Sequence, residues 1–237
     1  YVRCNERVRH KNSPYSIGNN LKEVIYMVSS GIQRGFYFIW TIIKLNMFFL
    51  LFSLMGGILL GIGPSFQTMV DLLSEYGLDY QNMTLSNYYI NWKYNFRRSN
   101  LHFFIMEMLT ILVVYNLFLS TQMKGLVWFI ADIIMVFILL LIMVMYLYLV
   151  QYESKYDIST INLFKLSFIS VFFNFFGFLK IILGIFTIIF ITWNFKGLLL
   201  FATFALIAIW SEFSTKEKRE IISRKLEENE EAYKANF

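Results

Sequence analysis

Five long apolar runs constrain this chain more than any other feature of its sequence. Segments of 4 to 38 residues separate them. The runs are Phe36–Ile62, Leu101–Leu119, Leu126–Leu149, Gly177–Trp193 and Leu198–Trp210. A helix rises 1.5 Å per residue, so about 20 apolar residues suffice to cross the roughly 30 Å hydrocarbon core of a bilayer. The runs predict an all-α, polytopic transmembrane bundle with about five long spans and the lipid bilayer as its surroundings.

The composition excludes several other classes of protein. Of the 237 residues, 57% are apolar and 16% are charged, whereas soluble domains have about 45–50% and 25%. The surplus apolar surface has to face lipid, which excludes an ordinary cytosolic domain, a secreted disulfide scaffold and a disordered chain. One cysteine, Cys4, and two histidines, His10 and His102, offer neither an internal disulfide nor a metal cluster. We therefore expect no metal and no cofactor.

The first apolar run ends in a motif that contains Gly61, Gly63 and Pro64. Proline fits the first turn of a helix but interrupts a helix that is already formed. We therefore predict a helix break at this motif, buried within the bundle. A short half-helix, Ser65–Tyr76, then turns the chain back as one arm of a hairpin.

The lysines and arginines predict the orientation, because they are enriched in cytosolic loops. If the predicted hairpin brings the chain back across the membrane, seventeen lysines and arginines lie on the same side of the membrane as both termini. Two, Lys124 and Lys196, lie on the other side. Lys44 and Lys180 are left out because they lie within apolar runs. Both termini are predicted to be cytosolic. The same distribution explains the net charge of +5 without a nucleic-acid partner.

Three segments are expected along the chain. Residues 1–30 form a basic cytosolic tail, without helical periodicity up to residue 26; the part before Met27 is either a native tail or an extension. Residues 31–213 form the transmembrane domain, in which Ile161–Asn174 is expected to be an interfacial helix. Residues 214–237 form a charged cytosolic helix, opened by a capping box of Ser214 and Glu217.

Four polar residues within the apolar runs are candidates for function: Lys44, Asn46, Glu107 and Asp132. Ionisable groups in spans are costly and usually face the bundle. Lys44 and Glu107 lie at matching depths, which predicts an ion pair, whereas Asp132 needs a hydroxyl, an amide or water. Two interpretations stay open: a polar pocket or relay, and a paired charge that fixes helix register. Lys180 is expected to extend towards the interface.

An aromatic and basic stretch precedes the second run. It contains Trp92, Tyr94, Phe96, Arg97, Arg98 and Asn100. The stretch is either an interfacial belt beside lipid headgroups or a docking site for a partner. The charged C-terminal helix is likewise either a solvated tail or a docking element.

The sequence offers no catalytic constellation. His102 and Glu107 are five residues apart and therefore share a helix face poorly. Neither a Ser–His–Asp pattern, nor HExxH, nor a phosphate-cradling glycine loop is present. We expect a protein that is not an enzyme and has no catalytic residues.

Several motifs in this order and spacing resemble the YesL-like family, a bacterial multi-pass membrane family of unknown function. They are Gly-Phe-Tyr-Phe-Ile-Trp from Gly35, Asn46, Gly61-x-Gly63-Pro64 and Trp92-x-Tyr94-x-Phe96-x3-Asn100. The resemblance extends from about Gly31 to Phe213. One departure is Ser65, where the family often has alanine.

The resemblance implies a function through genomic context. YesL-like proteins are typically encoded beside carbohydrate-uptake ABC transporters, sugar-binding lipoproteins and glycoside hydrolases. It therefore implies an accessory or scaffold protein of the bacterial cell membrane, with sugar ABC transporter subunits as partners. The alternative is a stand-alone small-solute transporter or channel whose path is lined by Glu107 and Asp132. The oligomeric state stays open.

Overall fold

The computed structural model describes residues 14–79, 81–173 and 175–235. The chain divides into two units, residues 1–40 and 41–237. The described residues form eight helices and no strand: α1 Pro14–Met55, α2 Leu59–Tyr76, α3 Leu85–Ser120, α4 Leu126–Glu153, α5 Thr160–Phe173, α6 Phe175–Asn194, α7 Gly197–Phe201 and α8 Thr203–Ala235. The all-α prediction is confirmed.

Four helices of the described part are long and apolar enough to cross a membrane. They are Gly31–Met55 within α1, and the whole of α3, α4 and α6. Only 11% of the most apolar window of α3 is buried, and large side chains such as Met108, Phe118 and Phe129 are more than half exposed. Apolar surface of this extent requires lipid or a partner around it. A membrane location follows.

Residues at the start of the chain differ from the prediction. Residues 1–13 lie outside the described residues, and the chain is helical from Pro14 onwards. The expectation of a tail without helix up to residue 26 is therefore wrong from Pro14 onwards.

The first run does end in a hairpin, but the break lies earlier than predicted. The turn is formed by Gly56, Gly57 and Ile58, and Gly57 and Ile58 have φ angles of 74° and 65°. A positive φ is inexpensive for glycine and costly for isoleucine. Pro64 lies inside α2, so the prediction of a break at Gly61–Pro64 is wrong.

The glycines of that motif serve close packing instead. A Cβ atom on Gly61 would lie 2.2 Å from the carbonyl oxygen of Ser53, and one on Gly63 would lie 2.9 Å from Cβ of Phe103. These contacts press α2 against α1 and α3. At its other end, α2 leads to Leu78, whose carbonyl accepts a hydrogen bond of 3.5 Å from Thr41. The part of α1 from Thr41 to Met55 is therefore antiparallel to α2, as the predicted hairpin requires.

The core surrounds α2. This helix packs against α3, α4 and α8, and its Met69, Val70 and Leu72 are fully buried. On α4, only the C-terminal part contributes to the core, including Tyr148 and Tyr152. The end of α2, the first half of α3 and the end of α4 therefore meet in one place.

The fifth apolar run is interrupted. Its residues are divided between α7 and the start of α8, and Ala202 separates the two helices. The α8 helix then continues through Ser214 to Ala235. The predicted capping box at Ser214 is therefore wrong: Ser214 lies in the interior of a helix and does not begin one.

Candidate functional site: a polar cleft between α2, α3 and α4

An open cleft of about 1240 Å³ lies where α2 ends, α3 begins and α4 ends. Its walls carry mostly polar side chains: Asp71, Ser74, Glu75, Asn91, Tyr94, Asn95, Arg97, Arg98, Asn100, Glu153, Ser154, Lys155, Tyr156 and Asp157, with Leu101 and Phe104. Both signs of charge are present. These segments include the loops that the charge distribution predicts to be cytosolic.

One wall of the cleft is a hydrogen-bonded cluster around Asp71. Gln67 Nε2 donates to Asp71 Oδ1 at 2.8 Å, and Asn95 Nδ2 donates to Asp71 Oδ2 at 2.5 Å. Gln67 also donates to the carbonyl of Val150 at 3.1 Å. These hydrogen bonds join α2 to α3 and α4.

Asp71 lies on α2, outside the four spanning helices. Burial raises the pKa of Asp71 from 3.8 to about 6, although the hydrogen bonds from Gln67 and Asn95 act in the opposite direction. The nearby Glu153 adds a smaller increase in the pKa. A carboxyl group with this pKa gains a proton in mildly acidic solution.

A second cluster at the cleft is centred on Glu153, which binds two side chains of α3. His102 Nδ1 lies 2.7 Å from Glu153 Oε2, and Arg98 Nε lies 3.3 Å from Oε1. His102 is almost fully buried, and its Nε2 lies 3.2 Å from the Thr160 hydroxyl at the start of α5. Arg98 also donates to the carbonyl of Ile158 at 2.5 Å. Glu153 therefore fixes the junction of α3, α4 and α5.

The predicted aromatic and basic stretch is divided by the structure. Tyr94, Arg97, Arg98 and Asn100 line the cleft, and the side chain of Tyr94 is 86% exposed. Trp92 packs elsewhere: its ring centroid lies 5.7 Å from that of Phe52 and 4.9 Å from that of Phe96. Part of the stretch is thus surface of the cleft, and part is packing between α1 and α3.

The predicted polar candidates within the runs do not meet. Glu107 is exposed, and it takes no part in the ion pairs that Arg98, His102 and Arg219 form within the described part of the chain. The predicted pair is therefore wrong. The physical reason is helix phase: Glu107 follows the buried Met106 and is rotated about 100° away from the buried face of α3. The Lys44 ammonium lies 5.9 Å from the ring centroid of Phe48.

Asp132 and Lys180 also lie away from the cleft. Asp132 is partly exposed, and its Oδ1 is buried without a hydrogen-bond partner among the described residues. The ammonium of Lys180 lies 4.1 Å from the ring centroid of Phe213, in cation–π geometry.

Asn46 lies at the break between α7 and α8, where its side chain binds the backbone of both helices. Its Nδ2 donates to the carbonyls of Leu199 and Leu200 at 3.2 and 2.6 Å, and its Oδ1 accepts from the amides of Phe204 and Ala205 at 2.9 and 3.2 Å. Helix ends leave such groups without intrahelical partners. Asn46 satisfies four of them at a buried position.

The sequence did not indicate that Glu153, His102 and Asn95 lie at one site. Glu153 was visible as an acid at the end of the most apolar span, and His102 as a histidine next to an apolar run. Nothing in their spacing indicates that they meet, because the contact depends on the way α3 crosses α4. The described residues contain no group of three His, Cys, Asp or Glu side chains placed to hold a metal ion.

Comparison with known proteins gives one partial match. Residues 42–117, about a third of the chain, match the sequence model of a family described as "Protein of unknown function, DUF624". The matched segment runs from α1 through α2 into α3. It therefore contains Asn46, the Gly61–Pro64 motif and the α3 wall of the cleft. Neither the curated proteins nor the solved structures contain a significant match to this chain.

Proposed function

We propose that this chain is a non-enzymatic integral membrane protein that serves a carbohydrate ABC transporter as an accessory or scaffold component, or in its regulation. The resemblance to the YesL-like family supports this role, since such proteins are typically encoded beside sugar-uptake systems. Within the chain, the polar cleft between α2, α3 and α4 is the feature that carries the proposal, as the site where a transporter subunit docks.

The size and the lining of the cleft favour a polypeptide partner. Sites for small molecules usually enclose about 300–1,000 Å³, whereas this cleft has about 1240 Å³ and is open. Arg97 and Lys155 on its walls offer positive charge, and Glu75 and Asp157 offer negative charge. Mixed charge of this kind selects a partner of complementary pattern and does not concentrate one type of ion.

The side chains at the cleft are of the types that dominate protein interfaces. Tyrosine and arginine are enriched among residues whose removal costs the most binding energy. Tyr94 is 86% exposed, while Arg98 is held in place by Glu153 and by the carbonyl of Ile158. An arginine that is already ordered loses less conformational entropy when a partner binds.

A pull-down from native membranes in mild detergent, followed by mass spectrometry, tests the proposal. We expect sugar ABC permease or ATPase subunits to be recovered with the unchanged protein and lost with Tyr94→Ala. The matched control is Tyr115→Ala, which removes an exposed tyrosine of the same helix outside the cleft and should leave recovery unchanged. Recovery without any transporter subunit, or equal recovery with both variants, would contradict the proposal.

The alternative, a stand-alone transporter or channel, predicts solute flux by the purified protein in liposomes. It requires Glu107 and Asp132 to line one path. Glu107 is exposed, and Asp132 is partly exposed on the neighbouring helix, so their placement gives this alternative little support. Flux that falls on Glu107→Gln and Asp132→Asn would nevertheless favour it over the accessory role.

A further inference from the structure

A second cavity, of about 460 Å³, lies between the turn after α4 and the middle of α8. It is lined by Lys155, Glu212, Lys216, Arg219, Glu220 and Arg224. Four of these six side chains are basic, so the cavity carries an excess of two positive charges. The polar cleft, by contrast, has acids and bases in similar numbers.

Arg219 is the unusual member of this set. Only 4% of the residue is exposed, and its guanidinium pairs through Nη2 alone, with the carboxylate and the carbonyl of Glu212 at 2.5 and 3.2 Å. Its Nε and Nη1 are buried and have no hydrogen-bond partner among the described residues. A buried donor without an acceptor costs free energy, and more so when it is charged.

A side chain from the turn after α4 holds the backbone of Arg219 in place. Tyr156 of the turn after α4 donates from its hydroxyl to the Arg219 carbonyl at 2.8 Å. Lys155, next to Tyr156, donates to the carbonyl of Ser74 at 3.2 Å, while Lys216 and Arg224 are exposed on α8. The site thus combines a fixed, buried guanidinium with three cations on its walls.

We propose that this cavity binds an oxyanion of the phosphate class, with the Arg219 guanidinium as its central donor. Planar guanidinium groups match the oxygen spacing of phosphate, and ionised partners form the stronger hydrogen bonds. Lys216 and Arg224 contribute charge to the same ligand. Binding would provide acceptors for the donors that Glu212 leaves without a partner.

Two sources of such a phosphate fit the position of the cavity. On α8, the mainly apolar stretch ends at Phe213, which is 59% exposed, and four of the charged residues that line the cavity follow it in the sequence. The cavity therefore lies where an apolar surface changes to a polar one, at the level expected for lipid headgroups. The headgroup of an anionic phospholipid and a soluble phosphate are both available at such a level.

The test uses the purified full chain in an uncharged detergent, and its readout is the thermal unfolding midpoint. One arm adds inorganic phosphate against chloride at equal ionic strength; the other adds phosphatidylglycerol against phosphatidylcholine in mixed micelles. Each arm compares the unchanged protein with Lys216→Gln. The matched control is Lys218→Gln, which makes the same charge change two residues away on α8, outside the cavity.

The proposal predicts a rise of the midpoint with phosphate or with phosphatidylglycerol, and Lys216→Gln should weaken the apparent affinity about tenfold. An effect of inorganic phosphate identifies a soluble ligand, and an effect of phosphatidylglycerol alone identifies a lipid headgroup. Arg219→Gln should abolish either effect. The absence of both effects, or equal weakening by Lys216→Gln and Lys218→Gln, would overturn the proposal.

Discussion

Replacement of Asn46 by leucine is the sharpest test of how this bundle tolerates a break in its last apolar run. The Asn46 side chain is fully buried and makes four hydrogen bonds to the backbone at the junction of α7 and α8. Its Oδ1 receives the amides of Phe204 and Ala205, the second and third residues of α8. A side chain from another helix thus provides the cap that a residue before α8 would normally supply.

The cost of Asn46→Leu follows from these four groups. Each buried backbone group left without a partner costs about 1–3 kcal/mol, and water or a small shift recovers part of that. We therefore expect a loss of about 3–5 kcal/mol. For a protein of this length, such a loss lowers the unfolding midpoint by roughly 10 °C.

Thermal unfolding in detergent, followed by far-ultraviolet circular dichroism, measures the effect. Asn116→Leu is the control, because Asn116 is exposed and its side chain donates to the Leu112 carbonyl of its own helix. We expect that variant to unfold within about 2 °C of the unchanged protein. If Asn46→Leu is equally mild, the four hydrogen bonds do not hold the α7–α8 junction and the reasoning is refuted.

Three further predictions concern packing, pH and coupling. Gly61→Ala should cost about 1–3 kcal/mol of stability, because the new Cβ would meet backbone atoms of α1. Gly197→Ala should be neutral, because a Cβ there has open space around it among the described residues. Equal unfolding midpoints of the two variants would contradict this prediction. The folded-state pKa of Asp71, about 6, exceeds the ordinary value of 3.8. The stabilising contribution of the protonated Asp71 side chain is therefore complete below about pH 4 and is lost as the pH rises through 6, by about 3 kcal/mol at most. Asp71→Asn should remove this slope of stability against pH, and an unchanged slope in that variant would refute the assignment. A double-mutant cycle of His102→Gln and Glu153→Gln should give a coupling of about 1–3 kcal/mol, and additive effects would show that their contact contributes nothing.

The sequence was sufficient for the fold class and for the hairpin, because both depend on strong and local signals. Runs of about 20 apolar residues predict spans, and the distribution of lysine and arginine required a return between the first two runs. The position of the break was not predictable from proline alone. Gly56 and Gly57 provide the turn, while Gly61 and Gly63 allow close packing, and a sequence pattern does not distinguish these two uses of glycine.

The cleft was only half predictable. Tyr94 and Arg97 were candidates because exposed aromatic and basic residues are typical of contact surfaces. Glu153 and His102 were not candidates for a contact, because they are 51 positions apart in the sequence. They meet only because α3 and α4 cross. The prediction that Lys44 pairs with Glu107 was wrong because it rested on matching depths alone. Depth along a helix does not determine the direction in which a side chain points.

Photocrosslinking from the cleft in native membranes tests the proposed docking role most directly. A benzoylphenylalanine residue placed at position 94 should form a crosslink to a sugar ABC transporter subunit, identified by mass spectrometry. The same residue at position 115 of α3 should not. Crosslinks from both positions to the same abundant membrane proteins, or crosslinks from position 94 to lipid alone, would contradict a docking site in the cleft.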